Sequence, residues 1–146
     1  MEIRKIFKTE TAHIVRNAAS LRCRYNIHGH SYIFEVFIEG PVNEKTGMVI
    51  DFTELKWIGK FIDQFDHATV FWSEEKPEII VFFEEQFERV VIMKKNPTAE
   101  NMASLVHKYV TDHITTKDCY CSKVKVHETT TGCAIANNSN DNDRLI

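Results

Sequence analysis

The chain lacks the features that would assign it to several large classes of protein. It has no apolar stretch of bilayer-spanning length, so a membrane-embedded role is not expected. Its first residues, MEIRKIFK, lack the long apolar region of a secretory signal, and the expected location is the cytoplasm. Cysteine is scarce, with four residues at Cys23, Cys119, Cys121 and Cys133. With nothing to suggest export, a disulfide framework is not expected, and all four are read as thiols. Cys119-Tyr120-Cys121 has the look of half a soft metal site, but no second pair stands at zinc-finger spacing. Basic charge is not in excess either. A formal net charge of -3, with both signs mixed along the chain, argues against a general nucleic-acid-binding surface and for a small-molecule partner. No internal repeat or linker interrupts the sequence.

What is present suits one domain. A length of 146 residues, 43% hydrophobic content and ten phenylalanines are enough for a single ordinary core. That domain is expected to span 1–136, leaving the polar tail NNSNDNDRLI at 137–146, which has little to bury and is expected to be disordered.

The apolar patterning predicts a first strand over 2–8 ending near Thr9, an irregular loop over 14–24, and a second strand over 28–39 that stops at Gly40-Pro41. A short extended piece at 47–53 leads into a helix whose apolar face is Leu55, Ile58, Ile62 and Phe65, with Asp51 or Thr53 placed to accept its first free N–H groups. The β-rich runs 78–83 and 89–93 predict a hairpin. Asn96-Pro97-Thr98 opens a second helix, capped by Thr98, with Met102, Leu105, Val106, Tyr109 and Val110 on its buried face. A last strand covers 122–128. This order of elements predicts an α+β domain with a mostly antiparallel sheet and its helices on one face.

The chemistry concentrates in the ten residues Cys23 to Tyr32. Side chains two apart in a strand project from one face with Cα atoms about 6.5 Å apart, so His28 and His30 can reach one metal ion. Gly29 between them leaves the opposite face bare. His13 follows shortly after the first strand, which is expected to neighbour the second, and three imidazoles make a good ligand set for zinc with a fourth position open. Cys23 stands between Arg22 and Arg24, which favour the thiolate, making it a candidate base or nucleophile. A small buried thiol is the plainer alternative. Asp66-His67 places a carboxylate beside an imidazole it can help to charge. Glu128 shares a face with Val124 and Val126, so it needs hydrogen-bond donors or solvent at the strand end.

Taken together, Thr11-Ala12-His13, Cys23, His28-Gly29-His30-Ser31-Tyr32, the run Gly47 to Phe52, Asp66-His67, the run Asn96 to Asn101 and Glu128-Thr129 resemble the 6-pyruvoyltetrahydropterin and 6-carboxytetrahydropterin synthase family in order and spacing. The resemblance covers nearly all of 1–136. It implies the tunnelling fold, a mostly antiparallel four-stranded sheet with two helices on one face, with subunits assembled as a barrel-like homo-oligomer and active sites between them. It further implies zinc on His13, His28 and His30, Cys23 as base with Asp66 and His67 as its relay, and Glu128, aided by Thr129, as anchor for a pterin ring.

The substrate implied is 7,8-dihydroneopterin triphosphate. Its phosphates need cations, and Arg16, Arg22 and Arg24 are near in sequence. The short His13–His28 interval favours the carboxy branch, a lyase that releases triphosphate and acetaldehyde and leaves 6-carboxytetrahydropterin, an early precursor of queuosine. The pyruvoyl branch and a non-catalytic pterin-binding relative are the alternatives. The C-x4-H-G-H spacing around Cys23 lies between the spacings of the two branches.

Overall fold

The computed structural model describes residues 1–140. Six strands form one sheet in the order β4-β3-β1-β2-β5-β6. They are β1 (Glu2–His13), β2 (His28–Glu39), β3 (Ala68–Trp72), β4 (Val90–Met93), β5 (Tyr120–His127) and β6 (Cys133–Asn137). Four helices accompany them: α1 (Leu21–Tyr25), α2 (Lys56–Ile62), α3 (Pro77–Gln86) and α4 (Ala99–His113). The α+β class is as expected, but the sheet has six strands where four were expected, and the helices number four instead of two.

Strand β1 is longer than the sequence suggests because it pairs with β2 along its entire length, from Glu2 opposite Glu39 to His13 opposite His28. The alternation of β2 puts Tyr32, Phe34, Val36 and Ile38 on the buried face, each at most 1% exposed. Val124 and Val126 of β5 continue that layer, since Val36 faces Val124 and Phe34 faces Val126. Leu55, Ile58, Ile62 and Phe65 of the α2 region, together with Met102, Val106 and Val110 of α4, close the core over it. Each fully buried aliphatic or aromatic side chain of this kind stabilises the fold by about 1.5–3 kcal/mol relative to exposure.

The helix starts follow the expected chemistry. Asp51 Oδ1 accepts from Thr53 N at 2.8 Å ahead of the 3-10 turn that leads into α2, and Thr98 Oγ1 accepts from Asn101 N at 3.3 Å at the start of α4. The loop expected over 14–24 instead contains the short helix α1, with Ser20 as its cap.

The expected hairpin over 78–93 is absent. The run Ile79 to Phe83 is helical in α3, and β4 lies parallel to β3, with Thr69 opposite Val90. Parallel neighbours need a crossover, which α3 provides. Pro77 at the first turn and Glu78 behind it were the helix-start signals that outweighed a β-rich composition. Phe83 then packs on Phe71 and Phe87 at 5.0 and 5.1 Å between ring centroids, contacts that only the helical spacing allows. At the C-terminal end, Asn137 closes β6 and Asn138–Asn140 form a 3-10 turn. The remainder of the expected tail lies outside the described residues.

Candidate metal centre

The antiparallel register assembles the histidines. His13 and His28 face each other directly across β1 and β2, and His30 sits two residues along on the same face. One ring nitrogen from each lies within 4.8 Å of the other two, a spacing that can hold a metal ion. The next residue of that stripe is Tyr32, followed by the apolar core, so the centre occupies the end of the core layer.

The donor chemistry fits a cation. His13 Nδ1 donates to the Pro97 carbonyl at 2.7 Å, and His28 Nδ1 donates to the Asn26 carbonyl at 3.1 Å. With the Nδ1 atoms protonated, both Nε2 atoms carry lone pairs, and these face one another at 3.1 Å. Two acceptors at that separation repel unless a positive charge lies between them or beside them. Burial lowers the pKa of His13, whose side chain is wholly inaccessible, and also that of His30, which keeps both rings neutral as metal ligation requires.

Glu128 follows β5 on the inner parity and borders the centre. Its Oε1 lies 3.6 Å from His13 Nε2 and 4.0 Å from His30 Nε2, and a third of its side chain remains open to solvent. The Tyr32 hydroxyl donates to the same oxygen at 3.0 Å while lying 3.2 Å from His13 Nδ1. Burial, reinforced by the Glu128 charge, pushes the Tyr32 phenol far upward, so it stays a neutral donor. Sequence reasoning gave Tyr32 no chemical role of its own. The available signal was a hydroxyl on the parity of His28 and His30.

The remaining expected site residues are distributed more widely. Thr129 Oγ1 accepts from Gly132 N at 3.0 Å, so its hydroxyl serves the turn after β5. Cys23 is half-buried in α1, and its carbonyl accepts from Val15 N at 3.1 Å, which ties it two residues beyond His13. Asp66 and His67 are paired with each other at 3.8 Å. Among the described residues, no hydrogen bond or ion pair joins them to Cys23 or the histidine trio.

The reason for that separation is parity. Thr11 and Ala68 are register partners, each 3% exposed on the inner face, and His67 stands one step back with 77% of its side chain exposed. His67 also adopts a left-handed backbone, φ 52°, uncommon for a residue with a side chain. It is held there by His67 N donating to the Glu10 carbonyl at 2.7 Å and by Arg89 Nη1 donating to the Asp66 carbonyl at 3.0 Å.

Fold and site together define an α+β domain with a three-imidazole cluster that can hold a metal ion, beside a carboxylate bonded by a buried tyrosine. The family described as 6-pyruvoyl tetrahydropterin synthase matches residues 2–139, and the chain belongs to that family. A Helicobacter pylori (strain J99) protein named 6-carboxy-5,6,7,8-tetrahydropterin synthase is 40% identical over 143 residues, covering 92% of this chain and 71% of its own length. Among solved structures, an uncharacterized protein from Wolinella succinogenes superposes with a TM-score of 0.84 at 24% identity, covering 94% of this chain and 98% of that one. The 6-pyruvoyl tetrahydropterin synthase of Caenorhabditis elegans gives 0.69 at 21% identity, with 94% and 95% covered. These two likenesses are of fold.

Proposed function

We propose that this chain is a zinc-dependent lyase that converts 7,8-dihydroneopterin triphosphate to 6-carboxytetrahydropterin, releasing triphosphate and acetaldehyde, as a step toward queuosine and related 7-deazaguanines. The observation that carries the reading is the three-histidine centre with Glu128 against it, in a chain 40% identical to a protein named for that product.

Zinc held by His13, His28 and His30 would supply Lewis acidity toward the oxygens of the substrate side chain. The protein's own groups do the rest. Glu128 accepts the amino and amide N–H groups of the pterin ring, a charge-assisted pair, with Thr129 at its flank. Tyr32 keeps the Glu128 carboxylate from rotating away, because its buried phenol donates to Oε1 at 3.0 Å. Cys23 removes a proton from the side-chain carbon and His67, with Asp66, exchanges it onward.

Since His67 is turned outward from the face that bears the trio, the relay is completed by Asp66 and His67 of a neighbouring copy. The protein accordingly works as a homo-oligomer with sites between subunits, in the cytoplasm, on a small-molecule substrate and without nucleic acid or membrane. Among the described residues β4 and β6 are the outer strands of the sheet, the positions from which strands of other copies would continue it into a barrel.

The test is direct: purified protein is incubated with 7,8-dihydroneopterin triphosphate while acetaldehyde and triphosphate are measured, with Cys23→Ala alongside. Release of both products, abolished in the variant, is expected. Triphosphate without acetaldehyde would assign the pyruvoyl branch instead, and stoichiometric zinc without any turnover would make the chain a pterin-binding relative.

A further inference from the structure

The segment between β3 and β4, residues 73–89, has no part in the metal centre, and α3 within it buries no residue completely. It does supply Glu75, whose side chain is only 3% exposed. Arg16 Nε and Nη2 donate to the two oxygens of Glu75 at 2.6 and 3.0 Å, a bidentate fork across 59 positions of sequence. The third arm of the guanidinium, Nη1, donates to the Arg24 carbonyl at 2.9 Å, one residue after Cys23. Asn96 Nδ2 donates to the Arg16 carbonyl, and Lys76 N donates to Glu75 Oε1 at 2.9 Å. Arg16 is therefore committed on every side and is not a free cation for phosphate.

A cleft of about 650 Å³ opens between the ends of the loop joining β1 to β2, at Ile14, Arg16 and Ile27, and Phe71, Ile79 and Phe83. The loop's position rests on hydrogen bonds. These are the Arg16 fork, the Arg24 Nε donation to the Ala18 carbonyl at 2.7 Å, and the Val15 N donation to the Cys23 carbonyl. Burial alone would raise the Glu75 pKa, but the hydrogen bonds from Arg16 and Lys76 N outweigh it and hold the carboxyl below its usual range, so the fork is ionic at neutral pH.

We infer that the β3–β4 crossover is a brace for the loop that carries Cys23, and that Glu75 and Arg16 are positioning residues for that thiol. This rests on the assignment of Cys23 as the base. A reacting thiol displaced by a fraction of its own diameter loses near-attack geometry, so loosening the fork acts on turnover rather than on substrate binding.

Glu75→Gln and Arg16→Lys are to be compared with the parent in kcat, KM, zinc content, and the iodoacetamide alkylation rate of Cys23 across pH, followed by mass spectrometry. Expected are a kcat lowered about 10- to 100-fold, KM and zinc content within about twofold, and an altered pH profile for Cys23 alkylation. Unchanged kcat and alkylation in the folded variants overturn the inference, as does zinc loss in proportion to the loss of turnover. Should Glu75→Gln fail to fold, Arg16→Lys decides, because it keeps a positive charge beside Glu75 while removing the fork and the Nη1 bond to the Arg24 carbonyl. Cys23→Ala run in parallel separates the two failures. Full turnover in that variant rejects Cys23 as the base, leaving the brace to be judged on alkylation alone.

Discussion

Replacing His28 with alanine is the sharpest perturbation of the metal centre. His13 is unsuitable because its side chain is wholly buried, so truncation would confound ligand loss with a cavity. His28 is half-buried at the strand end and, among the described residues, its side chain bonds through Nδ1 to the Asn26 carbonyl and across the gap to His13. Without metal, its removal forfeits one partly exposed hydrogen bond, about 1 kcal/mol, and also relieves the two facing Nε2 lone pairs. The metal-free Tm should therefore move by no more than about 4 °C.

With metal the balance differs. A ligand present at about 100 times its Kd stabilises the native state by about 2.7 kcal/mol, which for a chain of this size raises Tm by roughly 5–10 °C. Thermal melts with zinc and with chelator should show that rise in the parent and less than about 2 °C in His28→Ala, with metal analysis showing a matching loss of zinc. His113→Ala is the comparison, since its ring stacks on Tyr109 at 4.1 Å on α4, outside the trio. Equal zinc-induced shifts in the parent and His28→Ala, or equal zinc loss in His113→Ala, would refute the assignment.

Tyr32→Phe should cost about 1–3 kcal/mol in chemical denaturation, because it strips a buried hydroxyl that bonds Glu128 at 3.0 Å, and catalytic efficiency should fall with it. Gly40→Ala should cost about 1–3 kcal/mol, since the new Cβ would stand 2.5 Å from Cys119 Sγ; most of that loss should be recovered in a Cys119→Ala background. Glu35 lies between Arg4 Nη1 and His127 Nε2, each donating at 2.6 Å. Burial alone would raise its pKa, but those hydrogen bonds lower it overall, so its contribution is complete above the unfolded carboxyl value and fades as pH falls through the lower folded value. Glu35→Gln should therefore flatten the loss of stability in acid, as read by denaturant midpoints.

The structure shows where local sequence was sufficient and where it was not. Strand β2 was legible over its entire span because a period of two runs unbroken from His28 to Ile38, and the same parity puts both histidines on the buried face. The α4 start was legible from Thr98 and Pro97, whose chemistry acts within one turn. Strands β3 and β6 were missed: five residues of Ala, Thr, Val, Phe and Trp, or of Cys, Ala, Ile, Ala and Asn, carry too short a pattern to separate strand from loop. In α3 the intrinsic preference of Ile and Val pointed to β structure, and the contacts of Phe83 with Phe71 and Phe87 overrode it.

Arg16 shows the same limit at the level of function. By sequence it was one of three cations available to a triphosphate, whereas Glu75, far along the chain, already occupies it.

By itself the sequence determined the same-face pair His28 and His30, the inward parity of Glu128 and the neighbourhood of Cys23, because each depends on side-chain alternation or on spacing within a few residues. Tertiary structure alone decided that Tyr32 secures Glu128, that Arg16 is spent on Glu75, and that His67 faces away from the trio. These facts depend on which strands become neighbours and in what register, and a one-residue difference in register moves a side chain to the other face of the sheet.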